Sequence, residues 1–384
     1  MNGALTVFTS ETPAILGKTF RLGGDGGLVK DTAGQMVEGT FQVQEFNDVE
    51  GLGALLATVG TNQAISASVP RNGAGSGCIV TKDAKPTRPG ALSRTKDDFG
   101  FAVQSGVVVL DYDPPPTGEA LTRDALWAVV VQTAPGLKAA GVLWWCSGSS
   151  HIFEGEVERQ GLRGQRLYIL VENAVDIPRA FAALAARLWL AGHGQVVISA
   201  SGQRLVRGLF DATMSEAGRL DFIGGAVCRP PLEQRRGNPV VLGAGGFIDS
   251  MRAIPELSVF ERQRADTLKA EARAAAEPAA KAQRERWAAG RVVQETGRLV
   301  KKGVGLVEAR DRAERTIRAA TEGLLLGDFP LILDDGAGVT VGHVLDAKEK
   351  YHGRLCRDPL EPGYLGNKVC GKLYLYGGAP TLTS

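Results

Sequence analysis

The chain has 384 residues, of which 44% are hydrophobic and 22% are charged, and its formal net charge is +2. A chain of this length is able to bury a sizeable core and favours a division into two or three domains. The composition is ordinary for a soluble globular protein, and so small a net charge does not by itself indicate a nucleic-acid partner.

The apolar runs and the cysteines exclude further classes of protein. No apolar run approaches the roughly 18 residues that a membrane-spanning helix needs, and the first 30 residues lack the basic-then-apolar order of a signal peptide. We therefore expect a cytoplasmic protein without a membrane partner. A structural zinc site is not expected, because no Cys-x-x-Cys pair and no histidine at zinc-finger spacing occurs around the five cysteines, Cys78, Cys146, Cys228, Cys356 and Cys370.

Strands and helices alternate along the first 250 residues. Strands are predicted at 4–8 and 40–45, followed by a helix at 49–59. Further along, a strand is predicted to end at 113, with others at 142–146, 166–171, 196–199 and 207–210 and with helices at 122–133 and 177–191. Residues 1–250 are thus predicted to form an α/β (α+β) domain with a central mixed β-sheet flanked by helices.

The composition changes near residue 250 to alanine, arginine and glutamate, which is typical of exposed or paired helices. Residues 251–325 are predicted to be a helical domain or linker, with helices at 256–276, 279–302 and 306–322 and a break at Pro278. Residues 326–384 are predicted to be a small C-terminal α/β segment. Its predicted elements are a hairpin at Asp334-Asp335-Gly336, a helix near 343–350 and a strand at 372–376.

Two aspartates, Asp111 and Asp113, end a β-branched strand just before a proline turn at 114–116. Side chains two apart on a strand point to the same face, so these carboxylates are expected to converge at the strand's end. Paired carboxylates suit Mg²⁺ or Mn²⁺, which take oxygen ligands and bind through carboxylates and substrate phosphates. Acidic residues that end a strand for solubility give the same local pattern.

A serine and a histidine separated by one residue follow the strand predicted at 142–146. Ser149 and His151 come after a glycine-containing loop, at the start of the next predicted strand, so they are expected to face the same way. A lone histidine is more often structural than functional, but this chain has only four.

A third carboxylate follows another apolar run. Asp211 is predicted to end the strand at 207–210, and Arg219 follows eight residues later. Asp211 is therefore a candidate third ligand for a metal pair, and the alternative interpretation is a helix N-cap or turn aspartate. Asp221 is a rival for the third carboxylate.

These three patterns, in this order, resemble the archaeo-eukaryotic primase superfamily, the primase-polymerases. The catalytic core of that family has a hydrophobic strand with Asp-x-Asp or Asp-x-Glu, then Ser-x-His, then a hydrophobic residue and Asp. The stretches 162–168, 176–180 and 219–226 look like the version found in primase-helicase proteins of prophages, plasmids and integrated elements. The resemblance covers roughly residues 95–250, and residues 340–384 more loosely.

The resemblance implies a DNA primase/polymerase with a single-stranded DNA template, nucleoside triphosphate substrates and a replicative helicase as a further partner. Asp111, Asp113 and Asp211 are then expected to hold two Mg²⁺ or Mn²⁺ ions, which activate a 3′-hydroxyl and stabilise the leaving pyrophosphate. Ser149 and His151 are expected to contact the phosphates of the incoming nucleotide. Three arginines are candidates for neutralising the triphosphate through fork-like hydrogen bonds, namely Arg163, Arg166 and Arg219.

Two other functions stay open on the sequence. One is a metal-dependent nuclease that uses the same carboxylates with water as the attacking group. The other is a non-catalytic replication-initiation protein that binds DNA through the helices of 251–325. A P-loop-like match from Gly366 to Leu373 is not expected to bind nucleotide, because Leu373 replaces the magnesium-binding Ser or Thr and Lys372 falls in a predicted strand.

Overall fold

A computed structural model of the chain describes residues 1–114 and 119–383, so the proline turn predicted at 114–116 lies mostly outside the described residues. The protein is a mixed α/β protein with several small sheets. Its strands, β1 to β23 in chain order, are Gly3–Thr12, Gly17–Leu22, Leu28–Ala33, Glu38–Phe46, Gln63–Ser66, Val69–Pro70, Ser76–Val80, Phe99–Gly100, Gly106–Tyr112, Gly141–Cys146, Ile152–Glu154, Val157–Gln160, Gln165–Val171, Gln195–Ile198, Arg204–Arg207, Ala226–Cys228, Leu232–Gln234, Val240–Ala244, Pro330–Ile332, Gly338–Thr340, Leu355–Arg357, Val369–Tyr374 and Thr381–Thr383.

The helices, α1 to α10, are Val49–Ala57, Arg123–Thr133, Ile177–Leu190, Ser250–Ala253, Val259–Ala275, Glu277–Lys301, Leu306–Thr321, Val341–Asp346, Lys348–Tyr351 and Tyr364–Asn367. Short 3₁₀ turns occur at Lys85–Thr87, Pro135–Ala139, Ala174–Asp176 and Ala212–Ser215. Among the described residues, no helix is both long enough and apolar enough to cross a membrane.

The chain divides into two compact units. Unit 1 consists of Met1–Gln195 and Arg207–Lys269, and unit 2 consists of Val196–Val206 and Ala270–Ser384. Most of the predicted helical region thus belongs to the same unit as the predicted C-terminal segment.

The sheet that carries the candidate site lies in unit 1 and has the strand order β18-β10-β13-β9. Its three strand pairs are antiparallel, whereas the sequence analysis expected a mixed sheet. Because residues directly opposite each other share a face, Leu110, Leu167 and Trp144 lie on one side. Helix α3 covers that side, where its Leu184 lines a small cavity together with Leu110.

The opposite face of this sheet is apolar at one end and charged at the other. Leu143 is buried against α1, where a side chain added at Gly53 would come within 3.3 Å of it. Farther along, Asp111, Arg166 and Trp145 lie opposite one another on the same face. Because side chains alternate between the two faces of a strand, Asp111 points away from α3, toward the segments that cover the opposite face.

Two further sheets of unit 1 belong to these covering segments. One has the order β5-β1-β4-β7, and its strand β1 lies beside the start of β9, with Ala4 N donating to Ser105 O at 3.3 Å. The other has the order β16-β2-β3, and Lys18 of β2 lies opposite Ala226 of the parallel strand β16.

Unit 2 combines the packed helices α6 and α7 with small antiparallel sheets. Ile317 of α7 shares an apolar core with Phe329, Leu331 and Leu373 of the C-terminal segment. The helix break predicted at Pro278 is confirmed, because α5 ends at Ala275 and Pro278 lies in the first turn of α6. The hairpin predicted around residues 334–336 and the strand containing Lys372 are also confirmed, as β19–β20 and β22.

Candidate active site

The end of β9 places Asp111 and Asp113 in different environments. Asp113 is exposed, as expected for a residue that receives a ligand, but Asp111 is only 8% exposed. The two carboxylates that were expected to converge at the strand's end thus differ in exposure: Asp113 is exposed to solvent and Asp111 is buried. The difference arises because the charged face of this sheet is covered by other segments of unit 1.

Arg166 holds the buried carboxylate. It lies directly opposite Asp111 on β13, and its guanidinium is ion-paired with Asp111 through one nitrogen and hydrogen-bonded to Asp221 Oδ1 through Nε at 2.9 Å. The Arg166 side chain is 8% exposed. Arg166 was expected to neutralise the triphosphate, whereas this placement favours a role in holding two carboxylates.

Asp221, the rival third carboxylate, is 2% exposed and lies at the centre of this network. Besides Arg166, it accepts a hydrogen bond of 2.5 Å from the hydroxyl of Tyr168. Burial, then the Asp221 charge, raise the pKa of Tyr168 well above its usual value, so the phenol stays protonated and donates. Asp221 therefore helps to hold Arg166, which in turn holds Asp111.

Asp211 reaches the site by a route that the sequence did not predict. The expected strand at 207–210 is wrong: β15 ends at Arg207, and Asp211 caps the 3₁₀ turn Ala212–Ser215. Its carboxylate accepts hydrogen bonds from Thr213 N at 3.0 Å and Thr213 Oγ1 at 2.9 Å. The backbone of Asp211 nevertheless bonds to the end of β9, because Asp211 N donates to Asp111 O at 2.9 Å. Asp211 is thus both a turn cap and a close neighbour of Asp111.

Ser149 lies on the other side of Asp113, in the loop after β10. This loop is not part of a strand, and β11 begins only at Ile152, so the expectation that Ser149 and His151 share a strand face is wrong. The Ser149 hydroxyl is 3.0 Å from Ser147 Oγ and accepts a hydrogen bond of 2.7 Å from Lys18 Nζ. Ser147 N in turn donates to Gly164 O at 2.8 Å, next to the Asp113 carboxylate.

Lys18 is the functional candidate that the sequence analysis missed. Burial, then the nearby charge of Arg166, lower its pKa to about 8, while the charges of Asp113 and Asp111 act in the opposite direction. Lys18 thus lies between Ser149, to which it donates a hydrogen bond, and the carboxylates of Asp113 and Asp111. No local pattern around residue 18 indicates this, since the pairing of β2 with β16 brings it there. Tyr168 was detectable, because it lies two residues from Arg166 on the same strand face.

The remaining predicted residues lie farther from the carboxylates or show only part of the expected geometry. His151 has a positive φ of 57°, and its Nδ1 is 2.8 Å from Glu158 Oε1, so its ring is held by the neighbouring strand. Arg219 is about half exposed and lies 3.4 Å from Asp211 Oδ2. Arg163 is partly exposed, and its backbone N donates to Ser150 Oγ at 3.0 Å.

The carboxylates of the site repel one another. Burial raises the pKa of Asp111 to about 7 against the opposing charge of Arg166, and the charges of Asp113, Asp221 and Asp211 raise it further. A bound cation relieves repulsion of this kind, and carboxylate oxygens are the ligands that Mg²⁺ and Mn²⁺ take. Asp111 Oδ1 is buried and already ion-paired with Arg166. In the described part of the chain, no three acidic, cysteine or histidine side chains are already arranged as a metal-binding group. The carboxylate oxygens of Asp111, Asp113 and Asp211 are of the chemical type that binds a divalent metal, and Asp113 is the exposed residue among them.

No family model matches the chain, and neither a curated protein nor a solved structure matches it.

Proposed function

We propose that the protein is a DNA primase/polymerase that performs template-directed, metal-dependent nucleotidyl transfer on single-stranded DNA during replication of a mobile genetic element. The observation that carries this proposal is that Asp211 is hydrogen-bonded through its backbone to Asp111 at the end of β9, where Asp113 is exposed and Lys18 lies nearby. Nucleotidyl transfer needs such a combination, because carboxylates hold the metal ions and cations neutralise the phosphates that the metals leave exposed.

Each residue has a distinct part in this proposal. Asp113 is the accessible metal ligand, and Asp111 and Asp211 complete the acidic set. The divalent ions, when bound, lower the charge of the reacting phosphate and help to deprotonate the primer 3′-hydroxyl. Lys18 and Ser149 bind the triphosphate of the incoming nucleotide, since their hydrogen bond places an ammonium and a hydroxyl beside the carboxylates.

Arg166, Tyr168 and Asp221 act as positioning residues. Arg166 neutralises part of the charge of two buried aspartates, and Tyr168 fixes the second of them. Without this support, burying several carboxylates together is unfavourable, because desolvation and mutual repulsion both oppose ionisation. The network therefore allows an acidic site to exist before metal binds.

The test is incorporation of labelled nucleotides by the full chain on a primed or unprimed single-stranded DNA with Mg²⁺ or Mn²⁺. Asp113→Asn is the informative variant, because Asp113 is exposed and its loss should not disturb the core. Asp97→Asn is the matched control, since Asp97 is also exposed and its ion pair with Lys82, at 4.0 Å, joins two exposed side chains. We expect product from the wild type and from Asp97→Asn, and essentially none from Asp113→Asn.

Equal product from the wild type and Asp113→Asn overturns the proposal. Metal-dependent cleavage of DNA without added nucleotide, abolished by Asp113→Asn, replaces it with the nuclease alternative. DNA binding without product or cleavage, unchanged in Asp113→Asn, replaces it with the non-catalytic alternative.

A further inference from the structure

A second arginine, Arg94, contacts the turn that precedes Arg219. Arg94 Nη1 donates a hydrogen bond of 3.0 Å to the carbonyl oxygen of Gly218, the residue before Arg219. Gly218 has a φ of +78°, and a side chain added there would come within 3.7 Å of Arg94 Cγ. Arg94 thus packs directly against the turn that presents Arg219.

Both sides of this arrangement are fixed by hydrogen bonds. Gly218 N donates to Ser68 Oγ at 2.9 Å, which anchors the turn before Arg219. On the other side, Ser93 donates to Asp98 Oδ2 from its backbone N at 2.7 Å and from its hydroxyl at 2.9 Å. Lys85 also binds Asp98. The two arginines are therefore presented by turns of defined geometry.

Among the described residues, Arg219 is ion-paired with Asp211, whereas Arg94 has no acidic partner. Arg94 is largely buried, and its Nε donates no hydrogen bond to any of the described residues. Burial, then the Arg219 charge, lower the pKa of Arg94. The Asp211 carboxylate, which lies 3.4 Å from Arg219, already accepts two hydrogen bonds from Thr213. A buried cation without a partner is costly, so a bound anion would stabilise the pair.

We propose that Arg94 and Arg219 together bind a phosphate group. Two guanidinium groups offer several N–H donors in a planar arrangement that matches phosphate oxygens, and neighbouring charges of one sign favour an anion with more than one oxygen. The phosphate belongs either to the triphosphate of a nucleotide or to the backbone of a DNA strand. Its assignment to a substrate rests on the proposed function, because the pair adjoins Asp211.

The experiment measures binding by the full chain to two separate probes, dATP and a short oligothymidylate without a terminal phosphate. The variants are Arg94→Met, Arg219→Met and, as a matched control, Arg88→Met. Arg88 is exposed and paired with Glu38 at 2.7 Å, so its substitution also removes one positive charge from unit 1, but Arg88 takes no part in the contact between Arg94 and Gly218. Binding is measured at several salt concentrations, and thermal unfolding checks that each variant is folded.

We expect Arg94→Met and Arg219→Met to weaken binding of one probe about 10- to 100-fold, while Arg88→Met binds like the wild type. Loss confined to dATP identifies the triphosphate. Loss confined to the oligothymidylate, with the slope of log K against log salt reduced by roughly 0.7, identifies a phosphodiester of a single strand. If Arg94→Met does not fold, the binding measured for Arg219→Met tests the proposal, because Arg219 is half exposed and its substitution should not disturb the fold.

Wild-type affinity of both arginine variants for both probes overturns the proposal, as does the absence of binding by the wild type. Nucleotide incorporation is measured separately. A wild type that binds phosphate through these arginines but incorporates no nucleotide keeps the phosphate site and removes the polymerase function.

Discussion

The backbone N–H of Asp211 donates a hydrogen bond of 2.9 Å to the carbonyl oxygen of Asp111, which joins the end of a sheet strand to a 3₁₀ turn. This bond brings two distant parts of the chain together at the candidate site without requiring a second strand. The side chain of Asp211 keeps its local role as a turn cap, and its position beside Asp111 comes from the backbone. Of the two interpretations that the sequence left open, the turn cap is confirmed, and the role of Asp211 as a third metal ligand stays a prediction.

Asp111, in β9, and Asp113, just after it, should differ in their effect on stability. Asp111→Asn leaves the buried Arg166 with Asp221 as its remaining partner, but it also removes a carboxyl whose pKa the fold raises to about 7. Because the ionised form of such a carboxyl opposes folding, we expect the free energy of unfolding of Asp111→Asn to rise relative to the wild type as the pH increases from 4 to 7. Asp113→Asn should change the free energy of unfolding by no more than about 0.5 kcal/mol, because Asp113 is exposed. Urea unfolding of both variants and the wild type without metal, from pH 4 to pH 7, measures the difference. The same change with pH in both variants contradicts the difference in burial between the two carboxylates.

Removing the Tyr168 hydroxyl should weaken the support of the site. Tyr168→Phe leaves Asp221 Oδ2 without its 2.5 Å hydrogen bond in a position that is 2% exposed. Because a buried charged acceptor then loses a donor, we expect a loss of about 1–3 kcal/mol in the free energy of unfolding. Chemical denaturation measures this loss. Unchanged stability would mean that the phenol does not support Asp221.

Much of the sheet that carries the site was predictable from the sequence. Strands β9, β10 and β13 and helices α2 and α3 occur within one or two residues of their predicted positions. Their apolar residues follow one another closely in the chain, so local pattern is sufficient. The apolar residues Leu209 and Phe210 wrongly indicated a strand. Phe210 is buried, with 6% of its surface exposed, but it is buried by packing in a segment that pairs with no strand. Burial alone does not distinguish a strand from a packed turn.

The partners that surround the carboxylates were less predictable, because long-range strand pairing places them there. Lys18 reaches Ser149 through the parallel pairing of β2 with β16. Arg166 was singled out from the sequence for its charge, but its role depends on the register between β13 and β9, which sets it opposite Asp111. A register of this kind is fixed only when the whole sheet forms.

The protonation of Lys18 should make nucleotide binding depend on pH. Its pKa is lowered to about 8, so the ammonium is present below that pH and is lost as the pH rises through it. If Lys18 binds the triphosphate, the affinity for nucleotide should fall between pH 7 and pH 9. Lys18→Arg should weaken this dependence, because a guanidinium stays charged throughout the range.

Equilibrium binding of dATP, measured without turnover, separates this effect from any pH dependence of the chemical step. An affinity that is constant from pH 7 to pH 9 in the wild type would contradict a direct role for Lys18.

The position of Asp113 should be sensitive to a methyl group at residue 164. A side chain added at Gly164 would lie 2.8 Å from Asp113 Oδ1 and 2.7 Å from Ser147 Oγ, so Gly164→Ala must displace one or both. We expect reduced nucleotide incorporation without a change of charge, because a small misplacement of a metal ligand is costly to catalysis. Gly161→Ala is the matched control, since its nearest neighbour, Glu158, would be 3.8 Å away. Equal activity of the two variants contradicts a close fit around Asp113.

The helix that covers the other face of the sheet should depend on Asp176 in a pH-dependent way. Hydrogen bonds from Arg179 at 2.6 Å and from Ser250 Oγ at 2.5 Å stabilise its charged form, and its pKa is lowered, chiefly by Arg179. A carboxyl whose pKa is lower in the folded state stabilises the fold above its unfolded value of 3.8, and this contribution disappears as the pH falls through the folded pKa. We therefore expect Asp176→Asn to cost about 1–3 kcal/mol at neutral pH.

The measurement is the difference in the free energy of unfolding between wild type and Asp176→Asn, from urea titrations between pH 7 and pH 3. That difference should be constant down to about pH 5 and should then shrink, because the wild-type carboxyl also becomes neutral. Glu172→Gln, at an exposed position before the same helix, serves as the control and should show little difference at any pH. A difference for Asp176→Asn that persists unchanged at pH 3 would show that shape and not charge connects this residue to Arg179 and Ser250.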